Sequence, residues 1–108
     1  MKTVEFQRRL DSENMLRVRF ETDHGQVLRF VVQLECLFDE DWQPVVRYDT
    51  YHGFAHRDLL HPSGSTEKTD LHESDRNKAL NFAIDDLVSH WLDYRQRYEQ
   101  WLTRQKAK

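Results

Sequence analysis

Apolar and polar residues alternate through the N-terminal part of the chain, and this two-residue period indicates β-strands with one buried face. The pattern predicts strands at about residues 3–10, 15–23 and 26–38. The second and third of these carry an unbroken apolar face. Arg8 interrupts the apolar side of the first, which is typical of a strand at the edge of a sheet.

The connection between the second and third strands is predicted from the faces that it must align. A two-residue turn at 24–25 would place Phe20 opposite Arg29 and mix apolar with charged residues. A three-residue loop at 23–25 would instead place Phe20 opposite Leu28. Because a shift of one residue reverses every side chain of a strand, we predict the three-residue loop.

Two further strands are predicted at about residues 45–51 and 54–61, joined by a two-residue turn at His52-Gly53. An acidic loop at 38–44 precedes them. The segment 62–74 is rich in turn-forming residues, and we expect it to cross the edge of the domain without regular structure.

The period changes near residue 75. Apolar residues then recur at alternating steps of three and four, which predicts an amphipathic helix at about 75–103 with Ser74 or Asp75 as its N-cap. Such a spacing also fits a coiled coil, but several bulky aromatics on the seam favour packing across a sheet. The expected fold class is therefore α+β. It comprises an antiparallel meander of about five strands and one long C-terminal helix across one face, in a single domain over residues 1–108.

The apolar stripe of this helix continues almost to its end. A 29-residue helix is on the order of 43 Å long, which matches or exceeds the width of so small a domain. Aromatic side chains beyond the sheet would form an exposed patch, and such patches mark interfaces. We therefore expect a homodimer or hetero-complex contact through Tyr98, Trp101 and Leu102. The alternative is that Phe6 and Leu10 of the first strand cover this end.

Composition narrows the class of protein. With 16 Lys and Arg against 19 Asp and Glu, the net charge is -3, so nucleic-acid contact would require a local basic patch. The single cysteine, Cys36, cannot form an internal disulfide and lies in an apolar strand. The N-terminus has no apolar signal segment and no run is long enough for a membrane span. We expect a cytoplasmic protein that does not enter membranes.

The residues with the most chemical potential lie in the second hairpin. Residues 47–61 contain three His, two Arg and two Asp. A two-residue turn at 52–53 would place Asp49 opposite His56 and Arg47 opposite Asp58 on one face. The other face would then carry Arg57 opposite Tyr48.

Three interpretations of this hairpin remain open. The charges can be cross-strand ion pairs on a solvated face. Alternatively, Asp49 orients His56 for general acid–base chemistry on a phosphodiester while Arg47 supplies positive charge. In that case His56→Ala would abolish activity and, because the face is expected to be exposed, leave folding nearly intact. A metal site would use Asp49, His52, His56 and His61, but their spacing matches no standard ligand pattern.

A family resemblance rests on the same residues. Arg47-Tyr48-Asp49, then His52-Gly53, His56-Arg57 and His61, resembles the central motif of small TumE-like toxins, an R-Y-D-N-x-x-G element followed by closely spaced His and Arg. The longer segment FVVQLECLFDEDWQPVVRYDTYHGFAHRDLLHPSG and a helix such as NFAIDDLVSHWLDYRQRY also resemble uncharacterised prokaryotic proteins of this length. Thr50 stands where the toxins carry Asn, and Asp58 stands where a further His is common.

The resemblance implies a toxin of a toxin–antitoxin pair that acts on RNA and meets a helix-turn-helix antitoxin. It carries over five candidate catalytic residues: Arg47, Asp49, His56, Arg57 and His61. We therefore expect a metal-independent ribonuclease that uses no cofactor. In this hypothesis His56 is the general acid and base, Asp49 is its partner, and the two arginines stabilise phosphate charge. The alternative is a non-enzymatic interaction or regulatory module whose hairpin charges are structural.

Overall fold

The computed structural model describes residues 1–107, which form one antiparallel sheet followed by one helix. The six strands lie side by side in the order of the sequence, as a meander. A short 3-10 turn, Tyr51–Gly53, follows the fourth strand. The elements are β1 (Lys2–Asp11), β2 (Asn14–Asp23), β3 (Gln26–Phe38), β4 (Asp41–Asp49), β5 (His56–Leu60), β6 (Thr66–Asp70) and α1 (Arg76–Lys106). The predicted α+β meander with a C-terminal helix is confirmed, but the sheet has six strands rather than five.

The strand that the sequence did not predict is β6. It lies inside the segment 62–74 that was expected to be an irregular crossing, and it pairs antiparallel with β5. All five of its residues, TEKTD, are exposed. Because none of them is apolar, the segment has no apolar alternation. It is held by backbone hydrogen bonds to β5 and by the contacts of Glu67 with His61 and of Lys68 with Asp58.

The predicted three-residue loop between β2 and β3 is wrong. Asp23 pairs with Gln26, so the turn has two residues, His24 and Gly25, both with positive φ. The register then shifts by one residue near Glu21, which is a β-bulge. The bulge restores the alignment of apolar faces that the extra loop residue was expected to provide.

The hairpin between β3 and β4 is also tighter than expected. Strand β4 begins at Asp41 rather than residue 45, so most of the predicted acidic loop is strand. Pro44 pairs with Glu35 at a register shift. A bulge tolerates proline, which cannot donate a hydrogen bond to the sheet.

Helix α1 packs across one face of the sheet, over β3 and β4. Asp75 is its N-cap, and the carboxylate of Asp75 accepts hydrogen bonds from the amides of Asn77 at 2.9 Å and Lys78 at 3.2 Å. The core between helix and sheet contains Leu16, Val18, Phe30, Val32, Leu34, Val46, Tyr48, Ala79, Ala83 and Leu87, all at most 1% exposed. No helix within residues 1–107 combines the length and the apolar character that crossing a membrane requires.

The C-terminal end of α1 is covered by the sheet's own hairpins. Tyr98 is 5% exposed and stacks on Phe38, with ring centroids 5.1 Å apart. Trp101 stacks on His61, with ring centroids 3.6 Å apart, and Leu102 packs against the core. The expected free aromatic patch is therefore absent from residues 98–102, and Phe38 and His61, rather than Phe6, cover this end. The oligomeric contact through these residues stays a prediction.

Candidate functional site

The register of the β4–β5 hairpin is as predicted. Asp49 pairs with His56, Arg47 with Asp58 and Tyr48 with Arg57. The connection differs, because the strands end at Asp49 and begin again at His56, with the turn Tyr51–Gly53 between them. The backbone of His52 has φ +69°, a left-handed conformation that His adopts more readily than most residues.

The pair Asp49 and His56 lies on the outer face, defined here as the face of the sheet turned away from α1. His56 Nε2 lies 2.8 Å from Asp49 Oδ1 and 3.5 Å from Asp58 Oδ2. The side chains of these three residues are only 1%, 13% and 9% exposed, respectively. The interpretation of these charges as pairs on a solvated face is therefore wrong: the cluster Asp49–His56–Asp58 is buried within the outer face.

The orientation of the His56 ring follows from its other nitrogen. Nδ1 lies 3.2 Å from the carbonyl oxygen of Phe54. A carbonyl can only accept, so Nδ1 carries a proton and Nε2 is the atom that faces the two carboxylates. Backbone contact thus fixes which nitrogen meets Asp49 and Asp58.

This cluster has the donor set of a metal site. One ligand atom from each of Asp49, His56 and Asp58 can be chosen so that all lie within 4.8 Å of one another. However, Lys68 Nζ lies 3.1 Å from Asp58 Oδ1, and that oxygen has no partner with hydrogen-bonding geometry. The ammonium group of Lys68 already compensates the charge of the Asp58 carboxylate, and a metal ion bound to Asp58 Oδ1 would have to displace it.

Arg47 does not form the expected ion pair with Asp58. Its Nε donates a 2.8 Å hydrogen bond to Gln33 Oε1 on β3. Among the described residues, no carboxylate oxygen lies within 4.0 Å of the Arg47 guanidinium, although Arg47 and Asp58 are cross-strand neighbours. Arg47 is therefore a half-buried cation without a carboxylate partner.

Arg47 lines a hollow of about 600 Å³ on the outer face. Arg19 and Arg29 line the same hollow, but Arg19 contacts Glu5 at 2.9 Å and Glu21 at 3.3 Å, and Arg29 contacts Glu21 at 3.0 Å. Tyr51 stands at the hollow with 74% of its surface exposed. The remaining lining residues are Leu28, Phe30, Val31, Asp49, Thr50 and His52.

The other two predicted site residues lie on the helix side of the sheet. Arg57 Nη1 donates to the hydroxyl of Tyr94 on α1 at 3.2 Å. His61 stacks on Trp101 and contacts the Glu67 carboxylate through Nε2. The structure therefore brings Arg47, Asp49 and His56 to one face and places Arg57 and His61 on the other.

Sequence reasoning missed a polar network that joins the hairpin to the helix. Asp86 Oδ2 accepts hydrogen bonds from the hydroxyls of Tyr48 at 2.7 Å and Tyr94 at 2.6 Å, and Asp86 Oδ1 lies 3.0 Å from His90 Nδ1. Burial, reinforced by the hydrogen bond to Asp86, raises the pKa of both tyrosines. The sequence signal was the spacing of Asp86 and His90 by four residues, which places them on one side of a helix.

No curated protein and no solved structure matches this chain. One family model, Domain of unknown function (DUF7718), matches residues 1–104. The TumE-like toxins give no such match, so the resemblance based on Arg47-Tyr48-Asp49 stays a prediction. This model covers nearly the whole chain, and the protein belongs to the DUF7718 family.

Proposed function

We propose that this protein is a toxin-like, RNA-directed protein that holds a single RNA strand in the hollow on its outer face. The observation that carries the proposal is the unpaired guanidinium of Arg47 in that hollow. A half-buried cation without a carboxylate partner is ready to take a phosphate oxygen, and the planar guanidinium suits bidentate contact.

The rest of the hollow supports the same ligand class. Arg19 and Arg29 also line the hollow, although Glu5 and Glu21 offset their positive charge. Tyr51 offers an exposed ring, and proteins that bind single strands combine a basic groove with aromatic rings on which bases stack. The net charge of -3 restricts this binding to the local patch.

For cleavage of the bound strand, burial changes the roles expected from the sequence. Asp49 lines the hollow, whereas the His56 side chain is 1% exposed and lies behind Asp49. Asp49 would therefore accept the proton of the ribose 2′-hydroxyl. The 2′-oxygen then attacks the adjacent phosphorus, the bond between phosphorus and the 5′-oxygen breaks, and the leaving 5′-oxygen takes a proton from water. His56 would orient the Asp49 carboxylate, together with the backbone amide of Tyr51 at 3.1 Å. Arg57 and His61 take no part in this proposal.

The test is binding of a fluorescein-labelled single-stranded RNA by fluorescence anisotropy in EDTA at several salt concentrations. We expect Arg47→Gln to weaken binding and to lower the slope of log affinity against log salt by about one. The matched control is Arg97→Gln, because Arg97 is exposed on α1, away from the hollow. Equal binding by wild type and Arg47→Gln, or no binding at all, would refute the proposal.

Cleavage is tested separately, by growth arrest on expression and by RNA degradation in vitro. Asp49→Asn should abolish both while leaving RNA binding in place, because the amide keeps the shape of the carboxylate but cannot accept the proton. If Asn at this position leaves degradation unchanged, Asp49 is not the proton acceptor.

A second candidate function is the non-enzymatic interaction module. It is favoured by the burial of His56 and by the division of the five candidate residues between two faces of the sheet. In this case expression is harmless, RNA does not bind, and the purified protein instead binds the product of a neighbouring gene.

A further inference from the structure

The N-terminal strand leaves a long edge of the sheet unpaired. β1 has ten residues and pairs with β2 alone, because it is the first strand of the meander. Along its other side the backbone N–H and C=O groups of alternate residues meet no strand within the described chain. Such an edge is a ready template for another strand.

The opposite edge of the sheet, formed by β6, has features that prevent another strand from pairing with it. β6 has only five residues, and its sequence TEKTD is wholly polar. Short length and charged residues are the usual means of preventing strand addition. β1 also carries charged residues, but it is twice as long, has no proline, and presents Phe6 with 42% of its surface exposed.

We propose that β1 pairs antiparallel with β1 of a second copy of this chain, which joins the two sheets into one. The two-fold axis of such a dimer is perpendicular to the sheet, so each face continues as the same face in the second copy. One residue of β1 must then lie opposite itself, and its neighbours pair symmetrically around it.

Charge selects the residue at the axis. An axis at Glu5 would place two glutamates opposite each other, and an axis at Arg8 would do the same with two arginines. An axis at Gln7 instead places Glu5 opposite Arg9 of the second copy, twice by symmetry. Within its own chain Glu5 contacts Arg19 at 2.9 Å, so the second copy's arginine would be a second cation at this carboxylate. An axis at Phe6 has no clash, but it forms no ion pair.

The helix side of the same register is also complementary. With Gln7 at the axis, Val4 lies opposite Leu10, which is half-buried against the core, and Phe6 lies opposite Arg8. The first pair is apolar and the second joins a cation to an aromatic ring. The Gln7 register therefore satisfies both faces, and the proposal commits to it.

The register is tested by cross-linking. Gln7→Cys should form an intermolecular disulfide in mild oxidant, because residues directly opposite have Cβ atoms about 5 Å apart. Glu5→Cys should not link to itself, since the two copies of residue 5 would be offset by about 13 Å along the strands. A mixture of Glu5→Cys and Arg9→Cys should link. The native Cys36 is buried and does not interfere.

Gln96→Cys is the control. This position is exposed on α1, so its cross-linking rate measures disulfide formation by random collision. Cross-linking of Gln7→Cys no faster than Gln96→Cys overturns the proposal. Preferential linking of Phe6→Cys overturns the register.

The second test is the mass in solution by light scattering. We expect wild type to reach twice 13.2 kDa as its concentration is raised. Glu5→Arg and Arg9→Glu should each be monomeric alone, since each places like charges opposite each other twice. An equimolar mixture of the two variants should form a heterodimer, in which both pairs are again opposite in charge. A wild-type protein that stays monomeric at every concentration, or a mixture that stays monomeric, refutes the interface.

Discussion

The imidazole of His56 and the carboxylate of Asp49 form a buried ion-pair contact, with Nε2 2.8 Å from Oδ1. The position of the pair follows from strand register, since the two residues are directly opposite on β4 and β5. Its burial follows from the outer face around it, where Lys68 of β6 reaches over to Asp58. The pair is therefore part of the structure of the sheet.

His56→Ala should destabilise the protein strongly. The substitution removes the imidazole that contacts both Asp49 and Asp58, and a buried charge that loses its partner costs about 3 to 5 kcal/mol. This contradicts the expectation, drawn from a solvated hairpin, that folding would remain nearly intact. Urea unfolding monitored by circular dichroism measures the effect. His72→Ala is the control, because the His72 side chain is 85% exposed and its loss should change stability by less than about 0.5 kcal/mol.

Arg95 should be a second position at which substitution strongly destabilises the folded protein. Its Nη1 donates to Asn14 Oδ1 at 2.9 Å, its Nη2 donates to the Leu37 carbonyl at 2.9 Å, and its guanidinium lies 4.5 Å from the Phe38 ring centroid. These contacts join α1 to the ends of β2 and β3. We expect Arg95→Ala to lower the free energy of unfolding by about 2 to 4 kcal/mol.

Arg95→Lys should recover little of this loss, because an ammonium group cannot reproduce the planar fork. Arg97→Ala, two residues away and exposed, is the matched control. If the lysine variant unfolds at the same urea concentration as wild type, the fork geometry does not matter.

Stability should fall at alkaline pH through Tyr48 and Tyr94. Burial and hydrogen bonding to Asp86 raise the pKa of both hydroxyls above the ordinary value of 10. Above about pH 10 the unfolded chain releases these protons while the folded protein keeps them, so the free energy of unfolding decreases as pH rises. Below that pH the contribution is fully present.

The measurement is the free energy of unfolding at a series of pH values from neutral to strongly alkaline. The double variant Tyr48→Phe, Tyr94→Phe should be less stable near neutral pH and should show a shallower alkaline decline. Tyr51→Phe is the control, since Tyr51 is 74% exposed. Equal slopes in wild type and the double variant would show that other groups cause the decline.

The sequence was informative wherever burial imposed a pattern. Strand β3 was predicted over 26–38 and is observed as Gln26–Phe38, because its alternation is continuous on the core side. The register of the β4–β5 hairpin was also predicted correctly, even though its turn was not. Because Arg57 and His56 are consecutive in one strand, the alternation of side chains also predicted that they lie on opposite faces of the sheet.

The errors arose where no apolar pattern existed or where two local geometries give the same parity. All five residues of β6 are polar and exposed, so the pattern of apolar residues could not indicate this strand. A longer loop and a β-bulge both shift the register by one residue, and parity alone cannot distinguish them at residues 21–25. The burial of His56 could not be predicted because part of its cover, Lys68, belongs to the strand that was missed.

Cys36 should be chemically silent in the folded protein. Its side chain is fully buried in β3, and burial raises the pKa of the thiol to about 12. Since the thiolate is the reactive form, iodoacetamide at pH 8 should not label the native protein on the timescale at which it labels Gln96→Cys, an exposed position. In urea the native thiol should react completely. At intermediate denaturant, its labelling rate should follow the unfolded population, because the thiolate forms only when β3 leaves the core. Rapid labelling of the native protein would show that this strand opens locally. Cys36 would then have to be replaced before cysteine cross-linking at β1 could be interpreted.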